Sequence, residues 1–388
     1  MAVYLDNNAT TPLHAQVQAA MLPYLGGICG NPSSVHRFGR LQRDAIEQAR
    51  EQVAALAGAR SEQVIFTSGG TESNNLLLQG VVRGSQILNG ATVVSRIAVS
   101  AIEHMSVLQP ARELPCELDL IAVDHDGRVT PASLQQALKS DTALVSVMAA
   151  NNETGVLQDL PALLEICRKD GIFFHTDASQ AAGKIELDFC ASGVQAMTLS
   201  AHKLYGPVGA GALIVDKALP LAAIQSGGEQ ERGLRAGTEN VAAIVGFGKA
   251  AELAKEKLAS RQLHTRQLRD ALERGLKQLP AVTVFAEKAE RLPNTVQFGV
   301  AGFDGESLLM QLDRKAIAVS AGSACTSGKS EPSHVLRAMQ TPDDIATAAI
   351  RVSFGENNTQ ADVETLLNAL NDIIEANNHS SVLMAASL

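Results

Sequence analysis

The 388-residue chain has no tryptophan, and aromatic side chains make up only 3% of it. Stacking platforms for single-stranded nucleic acid need more than that. Acidic residues exceed basic ones, for a net charge of -9, so loose attraction to a phosphate backbone is not expected either. No run reaches the roughly 20 apolar residues of a membrane span. The opening Met1-Ala2-Val3-Tyr4-Leu5-Asp6 carries neither a basic region nor an apolar signal core, and the protein is expected to remain cytoplasmic. Cysteine is sparse: the five residues, at positions 29, 116, 167, 190 and 325, form no Cys-x-x-Cys pair and no metal-ligand spacing. Disulfides and a bound metal are therefore not expected. The glycine pair Gly69-Gly70 is followed by no lysine, which excludes a P-loop for nucleoside triphosphates.

What is present is an ordinary globular composition, 46% hydrophobic and 19% charged, in a chain too long for one core. Short β-branched runs alternate with helical ones from residue 64 to about 215. Strands are expected near 64–66, 93–99, 118–123, 143–147, 173–176, 196–199 and 212–215, with crossover helices near 72–82, 106–113, 131–138 and 160–169. That alternation predicts an α/β domain whose doubly wound, mostly parallel sheet is covered on both faces. A stretch rich in Ala, Leu, Lys and Glu, 241–279, is expected to lead as a long helix into a smaller α+β domain. Its strands are expected near 282–285, 295–298, 317–320 and 350–353, and its helices near 306–312 and 362–374. The boundaries so read are 13–260 for the large domain, and 1–12 with 261–388 for the small one. The polar tail from Asn377 is expected to fray.

Chemistry-bearing residues recur where the strands end. Lys203 sits in Ser200-Ala201-His202-Lys203-Leu204-Tyr205-Gly206-Pro207, behind an apolar run. It reads either as a solvated lysine in a turn or as a desolvated amine able to attack a carbonyl, with Ser200 and His202 holding an anionic group of the same ligand. Gly69-Gly70-Thr71 ends a strand and opens a helix, which suits a phosphate on the helix N-terminus or a plain N-cap. His104 opens another helix, as a helix-start residue or as an aromatic face and proton carrier. Asn152 follows a third strand and Asp177 ends a fourth. A carboxylate there is costly unless it meets a cation or donors, and a protonated pyridine nitrogen is such a partner. Strand-end positions in one order in one domain point to one site along the carboxyl edge of the sheet.

Taken together, several segments resemble the cysteine desulfurases of the NifS/IscS type. They include Asp6-Asn7-Asn8-Ala9-Thr10-Thr11-Pro12, Glu103-His104, Asn151-Asn152-Glu153-Thr154-Gly155, His175-Thr176-Asp177, His202-Lys203 and Ser323-Ala324-Cys325-Thr326-Ser327. Segments 30–34, 67–72, 231–240 and 331–337 belong to the same set, which runs in order from residue 3 to about 375. The resemblance implies a fold-type I homodimer that uses pyridoxal 5'-phosphate to convert L-cysteine to L-alanine. The sulfur would leave as a persulfide for an acceptor protein such as an iron–sulfur scaffold. By position, Lys203 would bind the cofactor as a Schiff base, Asp177 would pair with the pyridine nitrogen, and His104 would stack on the ring and move protons. Asn152 and Gln180 would reach the ring hydroxyl and its surroundings. Gly70, Thr71, Ser200 and His202 would hold the phosphate, joined by Thr238 from the partner subunit. Arg351 would grip the substrate carboxylate near Asn152, a task that suits a bidentate guanidinium.

Cys325 lies among eleven small or polar residues, Ser320 to Ser330, with a single lysine. Nothing there builds a core, so the segment is expected to be exposed. The thiol is either incidental or, given the resemblance, the nucleophile that takes the sulfur. Two departures from the family pattern bear on the acceptor rather than on the cofactor site. Gly355-Glu356-Asn357-Asn358 stands where relatives place a second basic residue, and the C-terminus lacks an aromatic, Ser-Pro-containing tail. Selenocysteine lyase or cysteine-sulfinate desulfinase is the alternative activity on this fold, and it depends less on a cysteine nucleophile. An inactive scaffold does not account for the intact site residues, and an aminotransferase leaves the Cys325 segment without a use.

Overall fold

The computed structural model describes residues 2–89, 94–321 and 332–386. After a short first strand, β1 (Val3–Tyr4), seven strands make the large sheet. They are β2 (Val64–Thr67), β3 (Arg96–Ser100), β4 (Glu117–Ile121), β5 (Thr142–Ser146), β6 (Phe173–Asp177), β7 (Ala196–Ser200) and β8 (Gly211–Val215). Their order is β2-β8-β7-β6-β5-β3-β4, and only β8 runs against its neighbours β2 and β7. The sheet is mostly parallel, as the alternation predicts. β7 and β8 are buried at every position, which fits strands covered on both faces. Side chains alternate between the faces. Ile65 and Leu213 join a cluster under the helices Gly70–Asn89 and Met105–Glu113, while Phe66 and Ile214 join another under Arg37–Ala57 and Val241–Glu256.

The C-terminal region adds β9 (Val282–Val284), β10 (Thr295–Val300), β11 (Ile317–Ala318), β12 (Ser320–Ala321) and β13 (Ala349–Ser353). An antiparallel sheet, β12-β13-β10-β9, packs with Leu268, Leu272, Phe298, Ile350 and Leu366 into a third cluster. Leu5 enters this cluster from the chain start, and β1 pairs in parallel with β11. Among the described residues no helix is long and apolar enough to cross a membrane.

Three expectations are corrected. Segment 241–279 is two helices, Val241–Glu256 and Leu258–Leu276, broken at Lys257. The first helix buries Phe247 with the large sheet and the second buries Leu268 with the small one. Segment 317–320 is split at Val319, because its first half pairs with β1 and its second with β13. The last helix, Gln360–Ala386, passes through the tail expected to fray; no glycine or proline stands there to stop it.

Helix Arg37–Ala57 is clamped to β2 by a buried ion pair. Arg50 Nη1 and Nη2 donate to Glu231 at 2.7 and 2.8 Å, and Glu231 also accepts the Phe66 N–H at 2.7 Å. Glu231 and Arg232 hold positive φ values of 44° and 59°, a strained backbone that these contacts stabilise. Glu231→Ala leaves the buried Arg50 with only Glu47 and the Val64 carbonyl, and the Phe66 N–H without its acceptor, and urea unfolding is expected to show a loss of about 3 kcal/mol.

Candidate active site

A cavity of about 630 Å³ opens at the carboxyl ends of β3, β5, β6 and β7, and the small layer contributes Ser320, Ser333, His334 and Arg351 to its wall. It gathers Gly70, Thr71, His104, Asn152, Asp177, Gln180, Ser200, His202, Lys203 and Arg351. Two expected members are elsewhere. Thr238 is exposed and does not line this cavity, and Cys325 lies outside the described residues. No group of three or more His, Cys, Asp or Glu suited to a metal ion occurs among the described residues.

Lys203 ends the short 3₁₀ turn Ala201–Lys203 that follows β7. Its Nζ donates to the backbone oxygens of Asn8 at 2.5 Å and Ala9 at 2.8 Å. The N-terminal loop that presents those oxygens is itself tied down. Asn8 N–H donates to Ser353 Oγ at 2.8 Å, and Thr11 N–H and Oγ1 both donate to the His202 carbonyl at 2.9 Å. Gln180 Nε2 donates to the Asn8 carbonyl at 2.9 Å. Lys184, which sequence reasoning missed, donates to both Asn8 Oδ1 and Gln180 Oε1 at 2.8 Å. Burial, then the charges of Lys203 and Arg351, push its ammonium well below the ordinary lysine range. The four-residue spacing from Gln180 to Lys184 was the available signal. Burial and Lys203 likewise push His202 down to about 4, so at neutral pH it offers a hydrogen bond and no charge.

Asp177 ends β6, where its Oδ1 accepts the Ser179 N–H at 2.9 Å and its Oδ2 accepts Asn74 Nδ2 at 2.8 Å. His104 caps helix Met105–Glu113, its Nδ1 receiving the Ser106 N–H at 3.1 Å. Burial lowers its pKa against the opposing pull of Asp177, which favours a neutral ring. Helix Gly70–Asn89 begins beside them. A Cβ at Gly70 would come within 3.0 Å of Ser179 Oγ and 3.6 Å of Ser200 Cβ, so glycine is what lets the helix start approach these hydroxyls. Ser179 Oγ is buried with no partner among the described residues. A helix N-terminus facing an unmet hydroxyl fits a phosphate. The sequence signal for Ser179 was its place two residues after Asp177.

Arg351, on β13, reaches in from the small layer. Its Nη1 donates to the Asn152 carbonyl at 3.0 Å and its Nη2 to Asp6 Oδ1 at 2.7 Å. Its Nε is buried without a partner among the described residues, a donor that a carboxylate would satisfy.

Comparison with known proteins agrees with this architecture. Residues 3–366 match the Aminotransferase class-V family. The chain is 44% identical over 377 residues to cysteine desulfurase IscS of Dictyoglomus turgidum, spanning 96% of this chain and 94% of that one. A solved NifS-like protein superposes with a TM-score of 0.90 at 34% identity, covering 97% of this chain and 100% of the other. SspA, solved in complex with cysteine, gives 0.80 at 28% identity, covering 91% and 98%. Fold and cavity together define a fold-type I α/β enzyme architecture. The chain belongs to the aminotransferase class-V family, in its cysteine desulfurase branch of the NifS/IscS type.

One buried acid beside the site has no assigned task. Glu103 Oε1 accepts Ser100 Oγ at 2.7 Å and the Met148 N–H at 2.6 Å, which ties the turn before His104 to the end of β5. Burial raises its carboxyl to about 8, although these donors oppose the shift. The native state therefore keeps a proton that an unfolded glutamate releases. Stability from this group is full below the unfolded value and is lost as pH rises through the folded one. Glu103→Gln removes the titration, so the stability difference between wild type and variant is expected to move by about 2–3 kcal/mol in the variant's favour between pH 6 and pH 9, read from urea unfolding at each pH.

Proposed function

We propose that this chain is an L-cysteine desulfurase that binds pyridoxal 5'-phosphate, works as a homodimer and hands sulfur from Cys325 to an acceptor protein such as an iron–sulfur scaffold. The reading is carried by one observation: Lys203, Asp177, His104 and Arg351 come from four separate strand ends or strands and line the same cavity. The cofactor, when bound, supplies an electron sink for the substrate carbon. Lys203 provides the amine that attaches it. Asp177 offers an acceptor carboxylate to the ring nitrogen, and the helix N-terminus at Gly70 and Thr71, with Ser179, Ser200 and His202, holds the phosphate. Gln180 and Asn152 line the same cavity and would reach the ring hydroxyl, and His104 carries a proton on its ring. Arg351 orients the substrate by its carboxylate.

Sulfur transfer then needs a thiolate. Cys325 attacks the substrate sulfur, and an S–S bond forms as the carbon–sulfur bond breaks. The electron pair passes to the substrate carbon, which takes a proton and leaves as the methyl group of alanine. Cysteine is the ligand named for the SspA structure, and the same substrate is proposed here. The homodimer is proposed because Thr238 is exposed away from this cavity, where Thr238 of the partner subunit would complete the phosphate site. Exposed Leu22, Leu25, Val35, Phe38 and Leu41 offer apolar surface for a second copy to cover.

The test is alanine formation from L-cysteine under reducing conditions, wild type against Cys325→Ala. Wild type is expected to form alanine and sulfide, and the variant more than about a hundred-fold less alanine. Equal rates would remove Cys325 from the chemistry and favour the lyase or desulfinase activity. No alanine from cofactor-loaded wild type would sink the assignment.

A further inference from the structure

We propose that Asn74 is a positioning residue whose single amide group ties Asp177 and His104 into one hydrogen-bonded unit. This deepens the reading above and rests on it where Asp177 and His104 are taken to face the cofactor.

Asn74 lies in the second turn of helix Gly70–Asn89 and is fully buried. Its Nδ2 has two hydrogens to give. One goes to Asp177 Oδ2 and the other to Ser106 Oγ, each at 2.8 Å. Because Ser106 Oγ receives that bond, its own hydrogen is left for His104 Nδ1, 2.8 Å away. The Ser106 backbone N–H converges on the same nitrogen at 3.1 Å. With two donors aimed at it, Nδ1 carries no proton, and the hydrogen of the neutral ring sits on Nε2. The orientation of the Asn74 amide follows from its neighbours, since a flipped amide would set its oxygen against the Asp177 carboxylate. Asn74 Oδ1 pays for this arrangement, being buried with no partner among the described residues. A side chain kept only to fill space would be better apolar. Asp177 receives its second hydrogen bond from the Ser179 N–H, so the amide of Asn74 completes the fixing of the carboxylate plane.

The test uses full-length protein carrying Asn74→Asp, Asn74→Ala or Ser106→Ala. Aspartate keeps the shape of asparagine but has no amide hydrogens, and its carboxylate turns the Ser106 hydroxyl away from His104. The first readout is the long-range proton–nitrogen spectrum of histidine rings, recorded without cofactor on protein labelled at histidine, with His104→Asn identifying the signal. The second is affinity for pyridoxal 5'-phosphate. Both Asn74 variants are expected to shift the His104 Nδ1 resonance and to weaken cofactor binding by about ten-fold or more. Ser106→Ala is expected to shift the resonance while weakening cofactor binding less than either Asn74 variant, since the Asn74–Asp177 bond survives. Wild-type affinity in folded Asn74→Asp, or a His104 signal unmoved in folded Asn74→Ala, would overturn the proposal. Should Asn74→Asp not fold, Asn74→Ala and Ser106→Ala decide the matter alone. The ring spectrum needs neither cofactor nor turnover, so failure of the desulfurase reading, seen as no alanine from wild type, is a separate result.

Discussion

One backbone oxygen holds the site together. The carbonyl of Asn8 receives the Lys203 amine at 2.5 Å and the Gln180 amide at 2.9 Å, from two neighbouring strand ends of the large sheet. The same residue reaches the small layer through its N–H, on Ser353 Oγ, and its side chain, on Thr295 Oγ1 at 2.9 Å. Ser353 and Arg351 share β13. The N-terminal strap therefore sets the distance between the Lys203 amine and the Arg351 guanidinium. Reacting groups a single ångström out of place lose rate steeply, and few loops could hold that span without anchors at both ends.

The electrostatics follow from this strap. Lys184, Lys203 and Arg351 bond around Asn8 and Asn152, where Lys184 and Lys203 donate to amide and carbonyl oxygens and Arg351 also pairs with Asp6, while burial disfavours the charged form of Lys184. Backbone dipoles orient a cation without cancelling its charge. The histidines do not add to it, since burial keeps His104 and His202 toward their neutral forms. Lys203 and Arg351 line the cavity together with Asp6, Glu153 and Asp177, and Gly70 and Thr71 at the start of helix Gly70–Asn89 line the same space. An anionic cofactor and a zwitterionic substrate both suit such a field.

Much of the large sheet was legible because parallel strands buried on both faces leave compact β-branched runs between helices. Seven strands and the residues at their ends could be placed from that pattern alone, and the strand-end positions became one site once the sheet order brought them to one edge. What the sequence hid was of another kind. Asn74 and Glu103 bond to partners 103 and 45 residues away, and nothing local marks a buried amide or acid with so distant a partner. Lys184 looks like a surface lysine until Asn8 is brought against it. The break at Lys257 was hidden for the opposite reason: helix propensity is continuous there, although the two helices on either side of it join different cores.

Arg351 shows how the two layers meet in a single chemical task. Asp6 holds one end of its guanidinium at 2.7 Å and the Asn152 carbonyl holds the other, in a setting where both side chains are largely buried. A buried guanidinium with no resident carboxylate would be costly, so Asp6 offsets that cost and aligns the group. Both of those bonds use the terminal nitrogens. Nε is left buried without a partner among the described residues, and each terminal nitrogen keeps a second hydrogen, so the guanidinium retains donors for a carboxylate while Asp6 stays in place. Asp6 and the Asn152 carbonyl thus fix the plane of the guanidinium without consuming its five donors, which is the alignment that recognition of a carboxylate needs.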